Sequence, residues 1–348
     1  MKVVFMCFTD FSTINSGSSV RPYMIYNALK QKGYEVLLIN GNKKSRREKY
    51  LRYKANNEFQ NVAFCYIEPS TYPIHPMDYL ILFYLKRRNI PIGIFYRDMY
   101  YKFPTLFNKK GYKRIELQLR YKIDWVLYKL FAKKIFFPTN TMSSYFRFDK
   151  KCVLPPAGED KAIKSKRINY NLIYVGGVSE RYGTPILLEA LKLVNKEYRN
   201  INLHLVCREY NKDIFKDYEK EIWLKIQHVS GNDLIDIYKK SDIAIIPIRK
   251  IEYHDLAMPV KLFEYMSYGL PVIATNCKEV ENFVSNNDIG IVVEDNPKCL
   301  ADAIIKLYDN PIEIERLSVN VRNTLIKNNL WIHRVEVIEQ QLYSTTNL

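Results

Sequence analysis

Residues 257–277 read AMPVKLFEYMSYGLPVIATNC, and this stretch decides the fold. A first helical turn tolerates proline and a left-handed residue ends a helix, so Pro259 and Gly269 bracket a short helix. Pro271 prevents continuation, and the apolar PVIAT run after it reads as a buried strand. Lys261 and Glu264 stand three apart and share one helix face near the N-terminus, where free N–H groups favour an anion. Such a pair suits a nucleotide diphosphate, with Lys261 for phosphate and Glu264 for ribose hydroxyls. On spacing alone, a capped surface helix with an i,i+3 ion pair fits equally well.

Working outward, the second half alternates strands and helices. NLIYVGG (171–177) reads as a strand running into a Gly-Gly turn, and Ser179 to Gly183 leads into a helix over 185–198. INLHLVC (201–207) and KIQHV (225–229) read as strands, 233–240 as a helix and DIAIIPI (242–248) as a buried strand. IGIVVED (289–295) closes the sheet, and a helix follows over 297–308. From Pro311 two helical patterns flank Trp331.

The first half repeats the pattern. VVFMCF (3–8), a helix from Pro22 to Lys32 ending at Gly33, and YEVLLIN (34–40) make a βαβ unit and hence a parallel sheet. Further strands are expected at 62–67 and 91–96. The loop FSTINSGSSV (11–20) carries Ser16, Gly17, Ser18 and Ser19 before the helix, either a phosphate or sugar cradle or an ordinary N-capped turn. IGIFYRDMYYKFP (92–104) is a buried strand ending in Arg97 and Asp98, where α/β sheets place their sites. Asp98 could orient or deprotonate a hydroxyl and Arg97 could bind a phosphate; a structural Arg-Asp pair holding the loop is the alternative. CVLPPAGED (152–160) reads as a linker.

Composition bounds the class. At 348 residues the chain exceeds one core's usual size, so two domains are expected. Its six cysteines are scattered without a Cys-x-x-Cys pair, which argues against zinc and disulfide frameworks and for a reducing cytoplasm. MKVVFMCF lacks the apolar length of a signal peptide, and the longest apolar run, Tyr79 to Leu85, is far too short to span a bilayer. Charge is uneven: residues 1–165 hold 30 Lys+Arg against 12 Asp+Glu, and the remainder holds 23 against 25. The excess concentrates in KKSRREKYLRYK (43–54) and in 109–134. There Ile115, Leu119, Ile123, Val126, Leu127 and Leu130 recur at helical spacing among basic residues. An anionic membrane surface suits such segments, chiefly 43–54; for 115–130 a stripe packed into its own domain is an equal reading. No recognised nucleic-acid module appears, so no nucleic-acid partner is expected.

The Pro-x-Lys-x-x-Glu-Tyr-Met arrangement before a Gly-x-Pro-Val turn resembles the nucleotide-sugar signature of family 4 glycosyltransferases. That resemblance implies the α/β GT-B fold: two Rossmann-like domains facing each other across a cleft, with a C-terminal helix crossing back to the first domain. The expected parts are an acceptor-side domain over 1–160, a donor-binding domain over 161–325 and a tail over 326–348. Glu264 matches the second signature glutamate, which in the family binds the donor ribose. The first falls on Leu256, with Asp255 adjacent as a substitute. The loop 249–259, including Asp255 and Met258, is expected over the donor sugar. The arginine and lysine that grip the diphosphate fall on Gly177 and Tyr182, with Arg181 the replacement. The family's glycine-rich loop falls on Gly17 and Ser18, and its histidine beside the reacting sugar on the region of Arg97 and Asp98.

The implied activity is hexosyl transfer from a nucleotide-sugar donor to a lipid-linked or saccharide acceptor, with retention of configuration. The expected setting is polysaccharide or glycolipid synthesis at the inner face of the cell membrane. Leaving-group charge must be stabilised by metal or by cations and helix dipoles. The sequence has no Asp-x-Asp triplet, so Lys261, Arg181 and helix N-termini are expected to serve, with no metal and no resident cofactor. A noncatalytic binding subunit and a GT-B sugar epimerase are the alternatives.

Overall fold

A computed structural model describes residues 1–12, 17–103, 111–161, 168–197, 200–208 and 210–343. The chain divides into two compact units, one of 1–156 with 331–348 and one of 157–330.

The first unit runs β1 (Lys2–Cys7), α1 (Gly17–Gln31), β2 (Glu35–Ile39), α2 (Lys43–Ala55), β3 (Val62–Glu68), α3 (Pro76–Arg87) and β4 (Ile92–Phe95). It continues through α4 (Tyr112–Phe131), β5 (Lys134–Phe137), α5 (Asn140–Ser144) and β6 (Lys151–Val153). Its six strands are parallel in the order β2-β1-β3-β4-β5-β6. Runs such as Val3 to Cys7 are buried on both faces, as covered parallel sheets require.

The second unit runs β7 (Asn171–Val175), α6 (Thr184–Glu197), β8 (Asn202–Val206), α7 (Lys212–Phe215), β9 (Leu224–Gln227), α8 (Asn232–Lys240) and β10 (Ile243–Ile246). Then follow α9 (Glu252–Asp255), α10 (Val260–Ser267), β11 (Val272–Thr275), α11 (Lys278–Asn286), β12 (Gly290–Val293), α12 (Pro297–Tyr308) and α13 (Pro311–Asn328). The order β12-β11-β10-β7-β8-β9 is again parallel throughout. The chain reverses direction across the sheet between β7 and β10, the switch point outside which such sheets bind ligands. Asn-Pro pairs start the last helices: Asn296 and Asn310 accept from the N–H groups of Cys299 and Glu313, and Pro297 and Pro311 follow them.

The chain ends in α14 (Trp331–Leu342), which belongs to the first unit and packs on α1. Arg334 is buried and donates to the carbonyls of Pro155 and Pro156, and Lys32 pairs with Glu339. Gly93 permits the seat of α14 against β4, because a Cβ there would stand 2.7 Å from Leu342.

Several sequence expectations need correction. The first helix begins at Gly17 rather than Pro22, so Gly17 and Ser18 lie in its opening turn and not in a loop. Ser16 lies outside the described residues. Pro259 is the N-cap of α10, one position before its first turn. Segment 43–54 is a helix of the first unit with Arg46 turned inward, where its guanidinium forms a two-bond pair with Asp78 at 2.9 and 2.6 Å. The apolar stripe of 115–130 does not pack into its own domain. Ile115, Leu119, Ile123, Val126 and Leu130 are 52–61 % exposed, Leu127 is half-buried, and Tyr121, Asp124 and Tyr128 form the buried face instead.

Candidate functional site

In the second unit the chemistry gathers at the C-terminal ends of β7 and β10. β7 ends at Val175, whose N–H donates to the Tyr265 hydroxyl at 2.9 Å. Lys261 lies one helical turn before Tyr265 on α10, so both side chains turn toward that strand end. The Lys261 ammonium sits 4.4 Å from the Tyr174 ring centroid, and a Cβ on Gly176 would come within 3.3 Å of its Nζ. Tyr174 is itself fixed, since its hydroxyl donates to the Gly177 carbonyl at 2.6 Å. A Cβ on Gly177 would meet the Tyr182 ring at 2.7 Å, so any side chain there would have to displace that ring.

Glu264 is three residues from Lys261 and likewise half-buried. Neither side chain makes a hydrogen bond to any described residue. The ammonium is held by a ring face, and the carboxylate only by the more distant charges of Lys161 and Lys261. Burial pulls the Lys261 ammonium down to about 7, partly opposed by Glu264. Burial also raises Glu264, opposed by the two lysines. An under-solvated cation and an under-solvated carboxylate on one face, at the start of a helix, are disposed to take a ligand with an anionic end and hydroxyl donors.

Arg181 lies in a short 3-10 turn, Glu180–Tyr182. Its guanidinium donates to the Tyr182 hydroxyl at 2.8 Å and stacks 4.8 Å from that ring, while its carbonyl accepts from the N–H of Arg249 beyond β10. The turn closes at Gly183, with φ of 72° and a place for Cβ only 1.6 Å from the Pro247 carbonyl oxygen. Only glycine fits there, and that fit ties the β7 loop to the β10 loop. His254 is buried beside this group. Its Nδ1 lies 2.7 Å from the Arg249 carbonyl, and burial, then Arg181 and Lys261, favour its neutral form.

The rest of the loop departs from the sequence expectation. Asp255 Oδ1 accepts from the N–H of Lys278 at 2.8 Å, at the start of α11, and lies 4.0 Å from the Lys250 ammonium. Asp255 is thus committed to a helix end, and Leu256 is buried. Met258 is half-buried, one residue before the α10 N-cap.

In the first unit Arg97 and Asp98 follow β4. Arg97 reaches Glu68 at the end of β3, 3.5 Å away, and Asp98 accepts from the N–H of Met99 at 2.7 Å. Glu68 is the centre of this group. It also accepts from Arg21 Nε and the Tyr66 hydroxyl, each at 3.0 Å, and its side chain is fully buried. The sequence reading missed Glu68, Arg21, Tyr174, Tyr265 and His254; only Glu68, a carboxylate ending an apolar strand run, left a local signal.

Residues 169–310 match the family model described as glycosyl transferases group 1. An uncharacterized 41.2 kDa protein in the cps region of Klebsiella pneumoniae is 22% identical over 161 residues, 44% of this chain and 42% of its own. An uncharacterized glycosyltransferase of Haemophilus influenzae is 25% identical over 136 residues, 38% of this chain and 37% of its own. The matched stretches thus span about two fifths of these curated relatives.

Among solved structures, sucrose-phosphate synthase from Thermosynechococcus elongatus aligns with a TM-score of 0.68 at 13% identity, covering 97% of this chain and 98% of that one. Anabaena HepE in complex with UDP gives 0.68 at 12%, covering 98% and 99%. WaaG, a glycosyltransferase involved in lipopolysaccharide biosynthesis, gives 0.64 at 14%, covering 98% and 100%. At such identities the likeness establishes the fold, and over nearly the whole length of each chain. The protein therefore has the two-unit α/β GT-B fold, and residues 169–310 of its second unit are similar to the glycosyl transferases group 1 family.

Proposed function

We propose that the chain is a glycosyltransferase that takes a hexosyl group from a nucleoside-diphosphate donor bound by the second unit and passes it to a saccharide or lipid-linked acceptor. One observation carries the reading. Lys261 and Glu264 stand without hydrogen-bond partners among the described residues, on one face at the start of α10, beside a glycine turn. A diphosphate matches the first, and two ribose hydroxyls match the second. HepE, on the same fold, is known in complex with UDP, which supports a nucleotide of this class.

The bond from the anomeric carbon to the diphosphate oxygen breaks, and a bond to the acceptor hydroxyl oxygen forms. Negative charge grows on the departing diphosphate, where Lys261, Arg181 and the opening N–H groups of α10 offset it. No resident metal or cofactor enters this scheme. Asp98 is the proposed acceptor of the hydroxyl proton and Arg97 the proposed anion contact on the first unit. Retention of configuration follows the family resemblance. A role in polysaccharide or glycolipid synthesis, in the cytoplasm, fits these acceptors.

A binding subunit without turnover is the second reading. It is favoured by Leu256, buried where the family carries a glutamate, with Asp255 engaged at α11. A thermal-shift panel of UDP, GDP, ADP and their sugar conjugates, on wild type and Glu264→Ala, tests the site. A ligand at about 100 times its dissociation constant adds roughly 2.7 kcal/mol. A rise that Glu264→Ala abolishes is expected; no rise with any nucleotide refutes the site. Release of free nucleotide from the stabilising sugar conjugate then separates enzyme from binder. Loss of turnover with EDTA, restored by Mg²⁺, overturns the metal-free scheme.

A further inference from the structure

We propose that α4 is an interfacial helix that lies flat on an anionic lipid bilayer, with its outward apolar stripe in the acyl boundary. At about 100° per residue, Ile115, Leu119, Ile123, Val126 and Leu130 fall within an arc of about 80°. All five are exposed, as is Tyr112 on the same arc. The opposite side of the helix faces the protein, with the Trp125 and Tyr128 rings packed on Tyr96. Tyr121 donates to the Thr71 carbonyl at 2.9 Å, and Asp124 accepts from the Ile74 N–H at 2.8 Å and the Tyr79 hydroxyl at 2.6 Å. These bonds fix the rotation of α4, so the apolar face is held outward. An exposed apolar surface of this extent marks an interaction site.

Charge identifies the occupant. Exposed Lys122 and Lys129 border the stripe on one side; at its other edge exposed Glu116 lies 3.9 Å from Arg120, and Lys113 lies beyond. Neighbouring α3, tied to α4 by Lys86 donating to the Leu130 carbonyl, exposes Leu80 and Phe83 and ends in exposed Lys86, Arg87 and Arg88. Aliphatic side chains bordered by cations complement an acyl layer beneath anionic headgroups. The stripe runs about 23 Å along the helix at 1.5 Å per residue. Among the described residues no helix is long and apolar enough to cross a membrane.

The test is sedimentation of the full chain with vesicles of phosphatidylcholine alone or in equal parts with phosphatidylglycerol, without any nucleotide. Its outcome is therefore separate from that of the donor-site assay. Wild type is expected to bind the anionic vesicles only. Leu119→Glu with Ile123→Glu should lower the bound fraction at least tenfold with an unchanged melting midpoint, since both positions are exposed. Lys122→Gln with Lys129→Gln should weaken binding by about fivefold per lysine. Failure of wild type to bind anionic vesicles, or equal binding by the glutamate variant, overturns the proposal. So does a dimer in light scattering that the glutamate variant converts to monomer while vesicle binding persists; the occupant is then a second copy of the chain.

Discussion

Affinity for a nucleoside diphosphate should depend on pH in a way set by the surroundings of Lys261. Its ammonium is pulled by burial to about 7. A diphosphate in contact restores the charged form, because an opposite charge within a few ångströms raises a lysine. Above pH 7 the free protein must then take up a proton in order to bind. The dissociation constant should rise about tenfold per pH unit, or about 1.4 kcal/mol, up to the titration of the bound lysine. At pH 8 a group titrating near 7 is about one-tenth protonated, so binding draws in ~0.9 proton; at pH 7 it draws ~0.5.

Terminal phosphate ionises near pH 6, so the range from 7 to 9 isolates the lysine. Calorimetric titration with UDP and GDP, in buffers of different ionisation enthalpy, reads the slope and the proton count together. Lys261→Arg keeps its charge across this range and should flatten both. The same shift acts on stability with a definite sign. Between about 7 and 10.5 the unfolded chain holds a proton at this site that the folded chain lacks, so the lysine's penalty shrinks as pH rises. An affinity that is flat from pH 7 to 9, or a slope that survives in Lys261→Arg, would refute the assignment.

Other perturbations have equally specific outcomes. Gly183→Ala forces a Cβ against the Pro247 carbonyl in a left-handed conformation. It should cost about 3 kcal/mol or more in the second unit, read as a lowered midpoint in circular dichroism. Arg46→Ala leaves Asp78 buried without its cation and should cost about 3–5 kcal/mol in urea unfolding, whereas Arg46→Met with Asp78→Leu should recover most of it. Glu68→Gln removes the charge that Arg21 and Arg97 share. Transfer should fall about tenfold or more while UDP affinity in calorimetry is unchanged, and an equal loss of both would argue for general damage instead.

Local chemistry made much of this protein legible from its sequence. Buried runs such as VVFMC, IAII and VIAT admit few structures other than covered parallel strands, so the alternation of the two halves was readable. Gly269, with φ of 71°, ends α10 as its position suggests. That Lys261 and Glu264 share one face was readable too, because spacing of three residues along a helix fixes it whatever else surrounds them. Arg97 was visible at a strand end, but its partner Glu68 lies 29 residues earlier, and no short-range pattern joins them.

What only the tertiary structure decided is where each face points and which partner each charge finds. Periodicity shows that Ile115 to Leu130 form a stripe, but the same period describes a helix packed inward and one turned out. The choice rests on Thr71, Ile74 and Tyr79, distant residues that bind Tyr121 and Asp124 on the other side of α4 and so leave the stripe exposed. Asp255 is beside the family's glutamate position in sequence, yet the start of α11 claims its carboxylate. Sequence by itself therefore determined the elements and the residues able to do chemistry, because backbone propensity and side-chain spacing are local. Contacts between residues far apart in the chain determined which of those side chains are committed and which remain available.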